Sequence, residues 1–234
     1  MVHGSPTPAL RIPQDGLLNA ARDFARYGFA HLSGLLGTEI IRRWRESAED
    51  AVRTSALRIE RSDAQHRLSY QVVTGEVVGE QIPDLYRFYM SPELLGMVRA
   101  VTGEQKVSVS NHERSSININ ALSGPEHVYR WHFDATPYTM ILFLTSHTPD
   151  DGGELKLLPC PDRKPPISIE DAREIQSIVP RAGDAVLMDG TACYHSVAPL
   201  RRVVLRLSVP MVFPNNPRSP RPDGLDDYLY ASSV

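Results

Sequence analysis

The chain has 234 residues, 41% of them hydrophobic and 23% charged, and this ordinary globular composition excludes general disorder and fibrous repeats. Its length suits one domain with a sizeable core. A formal net charge of −3 supplies no positive field for a polyanion, so we do not expect nucleic acid as a partner.

The N-terminal part is predicted to contain amphipathic helices. Apolar residues recur at helical spacing over residues 16–27 and 38–57, and a short strand is predicted between them at residues 28–32. Residues 58–83 have mixed polarity and no clear period. We therefore predict a loop and hairpin there, of a kind that often serves as a lid over a pocket.

A third helix is predicted over Pro92–Thr102. Ser91 is a good N-cap, a proline suits the first turn, and Gly103 suits the helix end. Residues 15–105 are therefore expected to form a mainly helical scaffold, preceded by a flexible N-terminus at residues 1–14.

From residue 106 onward the pattern is typical of short strands. Eight strands are predicted, at residues 107–110, 116–122, 129–134, 138–145, 154–158, 185–188, 193–197 and 203–212. Turn-forming residues separate them, as at residues 149–153 and 181–184. An α/β fold is disfavoured, because between these strands only residues 168–175 are long enough for a crossover helix.

The predicted architecture is an all-β core with flanking α-helices. The core, residues 106–213, is expected to be a double-stranded β-helix, that is, a cupin-like jelly roll. Together with the helical scaffold it makes one domain over residues 15–213. Residues 214–234 are rich in Pro, Asn and Ser and are predicted to be an irregular C-terminal tail.

A candidate metal site begins in the run Trp131-His132-Phe133-Asp134. Residues two apart in a strand point to the same face, so the His132 imidazole and the Asp134 carboxylate project together and can bind one ion. His195, from a later strand, supplies a second imidazole. Two imidazoles and one carboxylate form the facial triad of non-haem Fe(II) oxygenases, which leaves coordination positions open. We therefore predict these three residues as metal ligands and catalytic centre.

Arg206 is the predicted anchor for a cosubstrate carboxylate. In the strand 203–212, Arg206 and Ser208 share one face and apolar residues occupy the other. A guanidinium is a planar, permanently charged fork that grips a carboxylate through two hydrogen bonds. Arg202, on the same face, and then Arg201 are the alternative anchors, and an ordinary surface cation is the alternative interpretation of Arg206.

Five runs of the sequence resemble the 2-oxoglutarate/Fe(II)-dependent dioxygenase superfamily. They are DFARYGF at residues 23–29, SPELL at 91–95, WHFD at 131–134, GGEL at 152–155 and RLS at 206–208. The resemblance covers roughly residues 15–213. It is closest to the small bacterial branch that includes amino-acid hydroxylases and halogenases.

This resemblance implies a double-stranded β-helix that binds Fe(II) through His132, Asp134 and His195 and holds 2-oxoglutarate through Arg206. It further implies the use of O2 and the release of succinate and CO2, with hydroxylation of an unactivated C–H bond in a small molecule such as a free amino acid or a natural-product intermediate. The related halogenases have a small residue in place of the carboxylate ligand. Because this chain has Asp134, hydroxylation is expected rather than halogenation.

Several other functions fit the same scaffold. A 2-oxoglutarate-dependent desaturase or cyclase and a protein-residue hydroxylase would use the same centre. A cupin-like enzyme that uses oxygen without 2-oxoglutarate would leave Arg206 structural, and a non-catalytic jelly-roll binding module would make the triad a coincidence.

Polar residues near the ligands are candidates for further contacts. Asn118 and Asn120 share one face of the strand 116–122, and polar residues inside a barrel often bind a ligand. Cations near the mouth would suit a substrate that carries a carboxylate. Residues predicted to bind the cosubstrate are Arg206, Ser208 and Asn120. Residues predicted to bind the substrate are Arg67, Tyr70, Asn118 and Thr136.

The expected location is the reducing cytoplasm. The chain has two cysteines, Cys160 and Cys193, and its polar, proline-containing start does not resemble a secretory leader. The longest apolar run, residues 140–144, is far shorter than the roughly 18 residues that a membrane span needs. We therefore expect no membrane insertion.

Overall fold

The computed structural model describes residues 8–62, 67–169, 172, 174–216 and 230. These residues form five helices: α1 (Gln14–Tyr27), α2 (Thr38–Ser55), α3 (Gly75–Gln81), α4 (Pro83–Tyr89) and α5 (Pro92–Thr102). They also form eleven strands: β1 (Phe29–Leu32), β2 (Leu57–Ser62), β3 (Arg67–Val73), β4 (Ile119–Leu122), β5 (Tyr129–His132), β6 (Tyr138–Phe143), β7 (Leu155–Pro159), β8 (Gln176–Ile178), β9 (Ala185–Asp189), β10 (Cys193–Val197) and β11 (Arg206–Phe213).

The three longer helices occur where the sequence predicts them. Helix α2 buries the apolar stripe that includes Ile41, Trp44 and Ala48. Helix α5 has the predicted bounds, since the Ser91 hydroxyl accepts a hydrogen bond from the Leu94 amide at 3.2 Å and Gly103 ends the helix with φ 72°. The capping chemistry therefore determines these boundaries.

Residues 58–83 are more regular than the sequence predicts. The expected hairpin is present as β2 and β3, and it extends the larger sheet instead of standing alone. The seven-residue helices α3 and α4 follow it, with Val78 and Leu85 fully buried. Two-turn helices have too few residues to show a period, so burial of a few side chains decides their structure.

The strands form two antiparallel sheets. The larger sheet has the order β1-β9-β6-β11-β4-β3-β2, and the smaller sheet has the order β5-β10-β7-β8. This arrangement, with helices on the outside, confirms the predicted all-β core with flanking helices and the jelly-roll fold. Residues 107–110 do not form the predicted strand. The Ser108 amide donates a hydrogen bond to the Pro214 carbonyl and the Ser110 amide donates one to the Tyr89 hydroxyl, so these amides do not pair with a neighbouring strand.

The larger sheet separates two apolar layers. One face packs on the helices through residues such as Leu207 and Val209 of β11. The other face turns towards the smaller sheet and encloses Phe143, Leu157 and Met188. Because successive side chains of a strand alternate between faces, Arg206 and Ser208 point into the space between the two sheets.

Both described chain ends contact the body of the fold. The Arg11 amide donates to the Leu35 carbonyl, and Tyr230 is 6% exposed with its hydroxyl donating to the Arg114 carbonyl. Both cysteines are buried and unpaired. Within the described part of the chain, no helix combines the length and hydropathy that a membrane crossing requires.

Candidate active site

The three predicted ligands meet at one end of the space between the sheets. Strands β5 and β10 are antiparallel neighbours, and His132 lies directly opposite His195 in their register. Asp134, two residues further along, places its Oδ1 atom 3.5 Å from His132 Nε2 and 3.6 Å from His195 Nε2. One ligand atom from each residue lies within 4.8 Å of the others, which is the spacing of a metal site.

Backbone carbonyls fix the direction of both imidazoles. His132 Nδ1 lies 2.7 Å from the Arg130 carbonyl, and His195 Nδ1 lies 2.9 Å from the Cys193 carbonyl. A carbonyl can only accept, so each Nδ1 carries the proton and each Nε2 turns a lone pair towards Asp134. When both imidazoles are neutral, three acceptor atoms therefore converge, and a bound cation relieves their mutual repulsion.

The pKa shifts of Asp134 and His195 favour the forms that bind a metal. Burial opposes it, but His195 and His132 together hold the pKa of the Asp134 carboxyl well below its usual range. Burial and the neighbouring His132 lower the pKa of His195 to about 4. His132 shifts the other way: burial lowers its pKa, but the hydrogen bond and charge of Asp134 outweigh burial and raise it, so in the metal-free site His132 shares a proton with Asp134 that a bound metal displaces. At neutral pH the carboxylate is ionised and His195 is neutral, as ligands must be.

Arg206 forms the opposite end of the same cavity. Its side chain is 1% exposed, with Nε donating to the Gly153 carbonyl at 2.8 Å and Nη1 donating to the Ser208 hydroxyl at 2.9 Å. Nη2 is buried without a partner, and burial lowers the pKa of Arg206 to about 10. No carboxylate in the described part of the chain offsets this burial, so the guanidinium is prepared for an external anion.

The Gly152-Gly153 pair shapes this end. Gly153 has φ 75°, which a residue with a side chain rarely adopts, and a Cβ there would lie 3.0 Å from Arg206 Cδ. The close approach lets the Gly153 carbonyl hold Arg206 Nε. Glycine is therefore needed for the geometry of the anchor, and this explains part of the GGEL run.

The alternative anchors lie elsewhere. Arg201 lies 3.4 Å from Glu154, Arg202 is bonded to Asp151, and both arginine side chains are more than half exposed. Neither one lines the cavity. The two arginines sit in the loop before β11, where strand parity does not apply.

The cavity between the two ends is narrow and mostly apolar. Its free volume is about 50 Å³, and its walls include Ile141, Leu155, Met188 and Val197. At the triad end, the side chain of His132 is 33% exposed and that of Asp134 is 22% exposed. The cavity is therefore closed at Arg206 and open to solvent at the triad.

The other predicted contact residues divide into two groups. Ser208 and Asn120 line the cavity. Asn118 instead lies 3.1 Å from the Tyr230 hydroxyl, and Thr136 is half-buried outside the cavity wall. Tyr70 is 4% exposed, and its ring packs against the ring of Tyr129, which lines the cavity. The side chain of Arg67 lies outside the described part of the chain.

Tyr129 is a cavity residue that the sequence does not reveal. It lies three residues before His132, so a regular strand would point it to the opposite face. The register pairs Val197 with Tyr129 and His195 with His132, so two residues of β5 lie opposite one residue of β10. This β-bulge returns Tyr129 to the inner face, where its ring lies 5.2 Å from the His132 ring.

Thr139 is the second residue that the sequence analysis missed. It lines the cavity, whereas Thr136 does not. Thr139 shares the inner face of β6 with Ile141 and Phe143. A polar residue on an otherwise apolar strand face is the sequence feature that could have identified Thr139 as a site residue.

Comparisons with known proteins agree with this architecture. A protein-family model described as Halogenase D matches residues 12–222. Among curated proteins, none matches the sequence. The similar solved structures include a non-haem α-ketoglutarate-dependent carbocyclase, SnoK from nogalamycin biosynthesis, with a TM-score of 0.66, 16% identity, and coverage of 90% of this chain and 87% of SnoK.

Two Streptomyces proteins have the same fold. AviO1 from Streptomyces viridochromogenes Tue57 has a TM-score of 0.66 and 16% identity, covering 93% of this chain and 99% of AviO1. HygX from Streptomyces hygroscopicus, solved with nickel, 2-oxoglutarate and hygromycin B, has a TM-score of 0.62 and 14% identity, covering 84% of this chain and 86% of HygX. The predicted double-stranded β-helix is confirmed.

Proposed function

This chain belongs to the Halogenase D family, and on that premise we propose that it is an Fe(II)- and 2-oxoglutarate-dependent oxygenase that hydroxylates an unactivated C–H bond of a small molecule. One observation carries the proposal. A single cavity has three converging acceptor atoms at its open end and a buried guanidinium with an unused N–H group at its closed end.

The open end fits ferrous iron. Two imidazoles and one carboxylate are the donor set of non-haem Fe(II) oxygenases, and His132, Asp134 and His195 would hold the ion. When bound, iron and 2-oxoglutarate together would supply the activation of O2. In that chemistry 2-oxoglutarate becomes succinate and CO2, and the substrate is oxidised. The chain itself supplies ligands whose Nδ1 protons are already held by backbone carbonyls.

The closed end fits the distal carboxylate of 2-oxoglutarate. Arg206 has Nη2 available, Ser208 adds a hydroxyl, and Tyr129 lies close enough to Arg206 to affect its pKa. Charge-assisted bonds from a guanidinium are among the strongest that a carboxylate can accept. The apolar wall between the two ends suits the methylene groups of the same molecule.

Asp134 favours hydroxylation over halogenation, although the family carries the name of a halogenase. In the halogenases that this sequence resembles, a small residue replaces the carboxylate ligand and leaves room for a halide. Here the carboxylate is present and its Oδ1 faces both imidazoles. The third ligand position is therefore occupied by the protein.

The substrate is proposed to bind at the open mouth. The inner cavity is assigned to 2-oxoglutarate, so the substrate has to approach from the end at which His132 and Asp134 are exposed to solvent. A free amino acid or a natural-product intermediate fits this arrangement, and the similar structure of HygX contains a small molecule, hygromycin B, beside nickel and 2-oxoglutarate. Arg67, Tyr70, Asn118 and Thr136 stay predictions for the substrate side.

Oxidative cyclisation is the second candidate, because SnoK is a carbocyclase on the same fold. The two outcomes differ in their products. Hydroxylation adds one oxygen atom to the substrate, whereas cyclisation or desaturation removes two hydrogen atoms. Mass spectrometry of the product distinguishes them.

The test of the proposal is succinate formation. Purified protein with Fe(II), ascorbate, 2-oxoglutarate and a panel of free amino acids and hygromycin B should produce succinate. His132→Ala should abolish this production. His112→Ala is the matched control, because His112 is absent from the metal-binding group. No succinate from the wild type, or equal succinate from His132→Ala, would contradict the proposal.

A further inference from the structure

The two oxygen atoms of Asp134 have different surroundings. Oδ1 faces the Nε2 atoms of His132 and His195. Oδ2 accepts a hydrogen bond from Thr139 Oγ1 at 2.6 Å. Thr139 is 3% exposed, so water does not compete for this bond.

Gly190 provides the space in which this carboxylate lies. A Cβ at Gly190 would be 2.4 Å from Asp134 Oδ2, 2.6 Å from its Cβ and 2.8 Å from its Cγ. Real Cβ atoms do not approach other atoms so closely, so a side chain here would displace the carboxylate. The backbone of the same residue fixes Asp134, because its carbonyl accepts from the Asp134 amide at 2.8 Å.

We propose that Thr139 and Gly190 are positioning residues that restrict Asp134 to binding the metal through one oxygen. The inference rests on the proposed function only in requiring that the triad bind a divalent metal. Thr139 holds Oδ2 by a hydrogen bond, and the missing side chain of Gly190 leaves the space in which Oδ2 lies.

The restriction matters for the number of open positions. An octahedral ion held by two imidazoles and one carboxylate oxygen keeps three positions open. Two of these are required by a chelating 2-oxo acid and one by O2. A carboxylate that bound through both oxygens would leave only two. The Thr139 hydroxyl therefore protects the position on which oxygen chemistry depends.

Thr139→Val tests the hydroxyl and Thr139→Ser restores it. Valine has the same shape but cannot donate a hydrogen bond. Thr191→Val is the matched control, because the Thr191 hydroxyl donates to Asp189 at 2.7 Å and not to a triad residue. Thermal unfolding of the metal-stripped proteins checks that each variant folds.

Gly190→Ala tests the space independently. Its matched control is Gly96→Ala in α5, because a Cβ at Gly96 has no neighbour within 4 Å. This second pair keeps the test decisive if Thr139→Val does not fold. In each pair the variant and its control carry the same chemical change, so a difference in metal binding between them comes from the surroundings of Asp134.

The measurement is calorimetric titration of metal-stripped protein with Co(II), together with the visible spectrum of the bound ion. Thr139→Val should weaken Co(II) binding about 10- to 100-fold, the usual effect of losing a group that orients a ligand, and should change the spectrum. Gly190→Ala should weaken binding at least as much. Thr139→Ser and both controls should stay within about threefold of the wild type.

The positioning role and the proposed function can be disproved separately. Wild-type affinity and an unchanged spectrum in Thr139→Val, or in a folded Gly190→Ala, would overturn the positioning role and leave the proposed function standing. A wild-type protein that binds no Co(II) would overturn the proposed function and this inference together.

Discussion

The two ends of the inner cavity are built from different sheets and are incomplete in opposite ways. At the triad end, acceptor atoms from the smaller sheet and from Asp134 face one another when both imidazoles are neutral. At the other end, Arg206 of the larger sheet has a buried N–H group without an acceptor. The first arrangement requires a cation and the second an anion. A metal ion chelated by a dicarboxylate carries the two charges that these ends lack.

The two ends also differ in their access to solvent. His132 is 33% exposed, whereas Arg206 is 1% exposed. The closed end therefore suits a ligand that is the same in every turnover, and the open end suits exchange of a variable substrate. The cation requirement and the anion requirement can therefore be tested separately.

Loss of a triad ligand should have the largest effect. His195→Ala removes a buried imidazole, so the metal should no longer bind tightly and turnover of 2-oxoglutarate should fall about a thousandfold or more. Succinate release and Co(II) titration measure the two effects. Co(II) binding at wild-type strength would show that the three residues do not act as one site.

Replacement of Arg206 should affect only the anion end. Arg206→Met removes the charged bonds to a carboxylate, each worth about 1.5–3 kcal/mol, so 2-oxoglutarate affinity should fall about 100-fold while Co(II) affinity stays unchanged. The metal-free protein should lose no stability, because a buried charge without a counterion is removed. Arg201→Met, at the surface pair with Glu154, is the control and should bind 2-oxoglutarate normally.

Tyr129 should contribute less. Tyr129→Phe removes one neutral hydroxyl beside Arg206, worth about 0.5–1.5 kcal/mol, so the KM for 2-oxoglutarate should rise about 3- to 10-fold. Tyr194→Phe is the control, since the Tyr194 ring stacks on Trp131 and does not line the cavity. Equal KM values for the two variants would remove Tyr129 from the anion end.

The smallest effect should be a pH dependence of stability near Arg206. The Thr148 amide and hydroxyl, with Arg202, lower the pKa of Asp151 to about 2, against about 3.9 in an unfolded chain. The folded state therefore binds this proton less readily, so its stabilisation is present above about pH 4 and is lost as the pH falls towards 2. This turn precedes the Gly152-Gly153 pair that holds Arg206.

Thermal unfolding between pH 6 and pH 2 checks this linkage. Asp151→Asn should lower the unfolding temperature at pH 6, and its difference from the wild type should shrink towards pH 2. Asp150→Asn, at an exposed neighbouring position, is the control. A difference that stays constant across the acid range would exclude Asp151 as its source.

The parts predicted from sequence are those that follow strand or helix periodicity. The spacing of His132 and Asp134 and the parity of Arg206 and Ser208 placed four side chains on inner faces. The bounds of α5 followed from its capping residues. Each of these predictions depends only on the regular backbone geometry of one strand or one helix.

The parts that were missed depend on departures from regular geometry. The bulge in β5 reverses the face of Tyr129. Thr139 and Asn118 are distinguished only by tertiary neighbours, since Thr139 contacts Asp134 and Asn118 contacts Tyr230. Arg202 left the predicted face because β11 begins at Arg206. Strand periodicity carries no information about such irregularities.

The central claim is that one molecule bridges the two incomplete ends, and a pair of matched ligands tests it most directly. Co(II)-loaded protein, kept anaerobic, is titrated with 2-oxoglutarate and with 2-oxopentanoate, which has a methyl group in place of the distal carboxylate. We predict that 2-oxoglutarate binds about 100-fold more tightly, and that Arg206→Met removes the difference. Equal binding of the two ligands to the wild type would contradict this claim.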